Sequence, residues 1–149
     1  VGGIVECAAV GLPAGWGNPF FRKVDGLLSG LLLSIPGVKG IEFGDGFAGA
    51  ARRGSEHNDA YTVRQGRVET LTNYAGGLCG GLTTGMPLVF RVAVKPTPSI
   101  GKTQSSVSLS TKEAVPLTIS GRHDPCIVAR AAVVVESAAA LALADVAVW

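Results

Sequence analysis

The stretch Val24-Asp25-Gly26-Leu27-Leu28-Ser29-Gly30-Leu31-Leu32-Leu33-Ser34-Ile35-Pro36-Gly37-Val38-Lys39-Gly40-Ile41-Glu42-Phe43 decides the fold class, because its pattern changes midway. Val24, Leu27, Leu28, Leu31, Leu32 and Ile35 recur three and four residues apart, which makes one broad apolar stripe on a helix. Pro36-Gly37 stops that helix. Val38 to Phe43 then reads as a strand, and Gly44-Asp45-Gly46 turns out of it. Upstream, Asn18-Pro19 is the expected helix start, with asparagine as cap and proline at the first helical position.

Working outward, residues 1–10 read as a strand, and Gly11, Pro13, Gly15 and Gly17 mark a turn-rich connection. Arg52 to Asp59 is a polar loop. Tyr61 to Val63 and Arg67 to Thr70 flank Gln65-Gly66 as a short hairpin. Gly76 to Gly85 carries five glycines in ten residues, which argues against a regular element there. Met86 to Val94 is an expected strand with Arg91 as its one charge. Ser105 to Ser110 and Ala114 to Ser120 are two further alternating segments, and Ile127 to Val148 is the final helix. The architecture expected is α+β: mostly antiparallel strands with two substantial helices.

Composition bounds the function. A chain of 149 residues fits one domain or a large piece of one, and 47% hydrophobic against 16% charged residues rules out disorder. With 21 glycines and 8 prolines the chain is a poor helical bundle. A net charge of +2 leaves no electrostatic footprint for nucleic acid. Cys7, Cys79 and Cys126 stand far apart without a CxxC pair, which favours a reducing compartment and ordinary buried thiols. No signal segment is visible, so a cytoplasmic location is expected. The chain opens on Val1 in what reads as mid-strand, as though an N-terminal portion were missing. Residues 129–149 could span a bilayer by length, but Arg130, Glu136 and Asp145 would each cost about 2.5–3.5 kcal/mol near its centre. A buried helix is expected there, with no membrane partner.

Two regions could carry chemistry. In the glycine run and in Lys95-Pro96-Thr97-Pro98-Ser99, backbone N–H groups, a lysine and two hydroxyls could cradle a phosphate. The competing reading is a glycine-rich corner packed on a sheet, with Lys95 solvated. Neither a Walker loop nor a dinucleotide fingerprint occurs. Gly121-Arg122-His123-Asp124-Pro125-Cys126 packs a cation, an imidazole and a carboxylate together before the last helix. Asp124 could cap that helix with Pro125 in its first position, or Arg122 could clamp an anion while Asp124 accepts a proton. His57 reads as a loop residue, with Ser55, Asn58 and Asp59 satisfying their own backbone locally. Two histidines and three scattered cysteines give no zinc spacing, so no metal is expected. The absence of G-x-S-x-G removes a serine hydrolase.

Taken together, Ser34 to Phe47, Gly54-Ser55-Glu56-His57-Asn58-Asp59, Gly76 to Gly85, Lys95 to Ser99 and Gly121 to Cys126 resemble chorismate synthase. The resemblance runs over essentially the whole chain but corresponds to the C-terminal portion of a single family domain. It implies an incomplete β-α-β sandwich, with helices between antiparallel sheets. It further implies a lyase of aromatic amino acid biosynthesis by the shikimate pathway, converting 5-enolpyruvylshikimate 3-phosphate to chorismate by 1,4-anti elimination of phosphate. The family requires reduced FMN without net redox change, the flavin lending and recovering electron density as the bonds break. NADPH or an external reductase could supply the reduced flavin, and homotetramers are the family habit.

Residue by residue, the resemblance puts Lys95, Pro96, Thr97, Pro98 and Ser99 at FMN, with Lys95 and Ser99 near its phosphate. Gly80, Pro36 and Gly37 would also border the flavin. Arg122 would lie where flavin and substrate meet, and Asp124 would serve proton transfer near flavin N5. His57 and His123 are not the family's two catalytic histidines, which belong to the part absent here, so the fragment alone is expected to be inactive. Ala132-Val133 lacks the family's usual proline, and Ser137-Ala138-Ala139 replaces its customary alanine-methionine pairing, on positions expected to pack. A non-catalytic flavin- or phosphate-binding module is the alternative.

Overall fold

A computed structural model describes residues 1–148; Trp149, the last residue of the 129–149 stretch weighed as a membrane span, lies outside the described residues. In chain order the elements are β1 (Gly3–Ala9), α1 (Val24–Leu33), β2 (Val38–Phe43), α2 (Gly46–Gly49), α3 (Gly54–His57), β3 (Tyr61–Arg64), β4 (Arg67–Thr70), β5 (Leu78–Cys79), β6 (Leu82–Thr83), β7 (Leu88–Val94), β8 (Gln104–Val107), β9 (Ala114–Leu117) and α4 (Val128–Ala147).

β7 is the axis of the molecule. It lies between β1 and β2 and runs antiparallel to both. Its side chains alternate as a sheet requires: Leu88, Phe90, Val92 and Val94 are buried, while Val89, Arg91 and Ala93 face the other side. On that second face Arg91 sits in register with Glu6 and Glu42, and its guanidinium pairs with Glu42 at 2.8 Å.

Helices α1 and α4 pack on the buried face. Val24, Leu28 and Leu32 of α1 meet Val135, Ala138, Ala139, Ala142 and Val146 of α4 and the β7 row in one core cluster. The α+β architecture is therefore present as one helix layer on one antiparallel sheet. The remaining strands form three separate two-stranded hairpins. In β3–β4, Gln65 and Gly66 both take positive φ (51° and 77°), as a tight two-residue turn between right-twisted strands requires.

Several expectations are corrected. Asn18-Pro19 does not start α1; Asn18 and Arg22 exchange two backbone hydrogen bonds at 2.9 Å and close a loop instead. The helix begins only at Val24, whose N–H donates to Gly81. The glycine run is not wholly irregular, since β5 and β6 pair within it. The polar loop at 52–59 contains the one-turn helix α3. Of the cysteines, Cys79 is exposed and the other two are half-buried. Ala138 and Ala139 do pack in the core, but Ala132 and Val133 lie on the exposed side of α4. Among the described residues no helix is long and apolar enough to cross a membrane.

Candidate functional site

The site candidates converge where β7 ends and β1 and β2 begin, since Val94 is in register with both Gly3 and Val38. Lys95 leaves β7 there, and its N–H donates to the Gly37 carbonyl at 2.8 Å. Gly37 has φ +95°, and a Cβ on it would stand 3.4 Å from Ile127 Cδ1, at the threshold of α4. Pro36-Gly37, Lys95 and the approach to α4 thus meet at one corner.

His123 ties the two key loops together. Its Nδ1 lies 2.9 Å from Ser99 Oγ, and its Nε2 lies 3.1 Å from the Ile119 carbonyl oxygen. A carbonyl oxygen only accepts, so Nε2 carries the hydrogen and Nδ1 accepts from the Ser99 hydroxyl while the ring is neutral. Beside them opens a cleft of about 440 Å³, lined by Thr97, Gly101, Lys102, His123 and Asp124 among others. Thr97 Oγ1 is buried and has no hydrogen-bond partner. An unpaired buried hydroxyl costs about 1–3 kcal/mol, so this one is poised for a ligand atom. A lysine, hydroxyls and a roomy mouth fit a phosphate-bearing group.

Asp124 does not cap the last helix. The capping position is Ile127, three residues on, and Asp124 Oδ2 pairs with Arg130 Nη2 on the first turn of α4. Its Oδ1 has no partner among the described residues. Arg122 is exposed. Gly80 is not brought to this corner. Its hairpin docks at the start of α1 through the Gly81–Val24 bond, whereas Gly37 follows the end of α1. A ten-residue helix separates them by roughly 15 Å.

A second region escapes the sequence reading. Asp59 does not serve its own backbone; its carboxylate accepts from Thr72 Oγ1 (2.7 Å), Tyr74 N–H (2.8 Å) and Ala75 N–H (2.9 Å). Burial alone would raise its pKa, but the Ala75, Thr72 and Tyr74 hydrogen bonds and nearby His57 outweigh it and hold the carboxyl below its ordinary range. His57 stacks on Tyr74 with ring centroids 5.6 Å apart, and the Arg52 guanidinium lies 4.5 Å from the same ring. Only the side-chain spacing Asp59–Thr72 hints at this, and no short-range pattern reveals it. At the edge of the main sheet, burial and then the Glu136 charge raise the Cys7 thiol, so it resists ionising.

Comparison with known proteins agrees on one assignment. The family model for chorismate synthase matches residues 1–148. Chorismate synthase of Methanobrevibacter smithii is 52% identical over 145 residues, covering 97% of this chain and 40% of that protein. The Chitinophaga pinensis enzyme is 53% identical, covering 97% and 43% respectively. A crystal structure of chorismate synthase superposes with a TM-score of 0.77 at 33% identity, covering 97% of this chain and 36% of the other. The chain thus spans about two fifths of the length of the curated relatives it matches.

Proposed function

The chain belongs to the chorismate synthase family, and on that premise we propose that the intact protein is a carbon–oxygen lyase. Its reaction is the conversion of 5-enolpyruvylshikimate 3-phosphate to chorismate and phosphate by 1,4-anti elimination. The observation that carries this reading is the cleft lined by Thr97, Lys102, His123 and Asp124, with its unpaired Thr97 hydroxyl, joined to Ser99 through His123 and lying beside the Gly37–Lys95 bond.

In the intact protein this corner holds reduced FMN. Lys95 supplies a cation, and Thr97 and Ser99 supply hydroxyls for its phosphate. Pro36-Gly37 forms the floor, fixed by the Gly37–Lys95 bond. A reduced flavin held there would supply electron density for breaking the allylic C–O bond, with no net redox change. Arg122, exposed next to His123 in the chain, serves as the anion clamp toward the substrate. Asp124 takes up and releases a proton at Oδ1, while Arg130 holds Oδ2 and fixes the carboxylate plane. Gly80, at the far end of α1, belongs to the flavin site only through a contact made outside this corner. NADPH, a homotetrameric assembly and a cytoplasmic setting accompany the reading.

The test is chorismate formation. The intact protein, given substrate and reduced FMN, is expected to release chorismate and phosphate in equal amounts, and residues 1–149 alone are expected to give neither. Flavin binding by the intact protein without any chorismate would favour a binding module instead.

A further inference from the structure

We propose that His123 is a positioning residue that couples phosphate recognition by Ser99 to its own protonation. The inference rests on the FMN reading above, and it concerns a side chain to which that reading gave no role.

The Ile119 carbonyl fixes the tautomer. With Nε2–H donated to it at 3.1 Å, a neutral imidazole has only a lone pair at Nδ1. Ser99 Oγ, 2.9 Å away, must then spend its single hydrogen on that nitrogen. What Ser99 presents outward in this state is oxygen lone pairs, which repel an anion. The opposite tautomer would put a bare Nε2 against a carbonyl oxygen, leaving both without a hydrogen. Protonation resolves the conflict. Nδ1–H then donates to Ser99 Oγ, and the freed hydroxyl hydrogen turns to a phosphate oxygen. Phosphate binding therefore takes up a proton, and the added cation strengthens the site further.

The charged groups around the ring are compatible with this exchange. Lys102 and Asp124 share the cleft with His123, and Asp124 is already paired with Arg130. Arg122 adjoins in sequence, and Lys95 lies on the same turn as Ser99. An imidazole is the side chain whose charge ordinarily changes near neutrality.

The test uses the intact protein, with FMN and riboflavin as probes and flavin fluorescence as the readout between pH 6 and 9. Wild-type affinity for FMN is expected to fall with rising pH, by up to about tenfold per unit for one linked proton, while riboflavin affinity stays level. Calorimetry in buffers of different ionisation heat is expected to show net proton uptake on FMN binding. The phosphate's own second ionisation, near pH 6, acts in the opposite sense, because the dianion binds better as pH rises. His123→Gln keeps a donor for Ile119 but no titrating acceptor for Ser99, so the fall in affinity with rising pH and the net proton uptake should vanish, leaving only the phosphate's opposite trend. Retention of both in that variant overturns the coupling, as does wild-type FMN binding without proton uptake. Ser99→Ala separates the premises: unchanged FMN affinity there overturns the phosphate site itself, whereas weakened affinity with the slope abolished supports both.

Discussion

The Lys95 N–H donates to the Gly37 carbonyl at 2.8 Å, so the turn that ends α1 and the turn that ends β7 are locked together by one backbone bond. Two segments 58 positions apart in sequence thereby form one rigid corner, and the candidate phosphate groups project from it. The position of Lys95 is set by the sheet, and that of Ser99, four residues on, by its contact with His123.

Gly37 tests that rigidity. Its φ of +95° costs an L-residue about 1–2 kcal/mol, while a new Cβ would meet Ile127 only at ordinary contact distance. Gly37→Ala is expected to lower stability by about that amount in denaturant unfolding. It should also weaken FMN binding. An unchanged midpoint would mean the corner is softer than it looks.

Asp124 should separate chemistry from binding. Asp124→Asn keeps the shape and one acceptor for Arg130 but cannot take up the proton. Turnover is expected to fall about 10²–10⁴-fold, with FMN affinity within a factor of two or so of wild type. A parallel loss of FMN affinity would make Asp124 a structural anchor of Arg130 instead.

Asp59 predicts an acid-sensitive region away from the cleft at Ser99. Its folded pKa lies below the ordinary value of 3.8, so its contribution to stability is complete above that value. It is lost as pH falls through the lowered folded pKa. Asp59→Ala, which strands the Tyr74 and Ala75 N–H groups, is expected to cost about 1–3 kcal/mol at neutral pH. Unfolding midpoints at pH 7 and pH 3 measure this, and the gap between the two proteins should be smaller at the lower pH.

Much of the fold was legible because its signals are local. The Val24–Leu32 stripe, the Pro36-Gly37 stop and the alternation of β7 need only neighbouring residues to be read. The start of α1 was misread because Asn18-Pro19 is a sound capping pair by local rules, yet the Asn18–Arg22 bonds close a loop there. The same limit applies to Asp124: Asp-Pro is a good helix opening, but Arg130 claims the carboxylate. Asp59 and His123 were underrated because Thr72 and Ser99, the side chains they bond, lie 13 and 24 residues away. Motif resemblance singled out Lys95–Ser99 and Gly121–Cys126, and the fold supplies what motifs cannot: the Ser99–His123 contact between them, and the separation of Gly80 from both.

The most direct measurement of the central claim is an FMN titration of the intact protein against Lys95→Ala, with riboflavin as control. Losing one charge-assisted contact worth about 1.5–3 kcal/mol predicts FMN affinity lower by about 10- to 100-fold, with riboflavin affinity unchanged. FMN binding equally tight in Lys95→Ala and wild type would contradict the assignment of this corner as the flavin phosphate site.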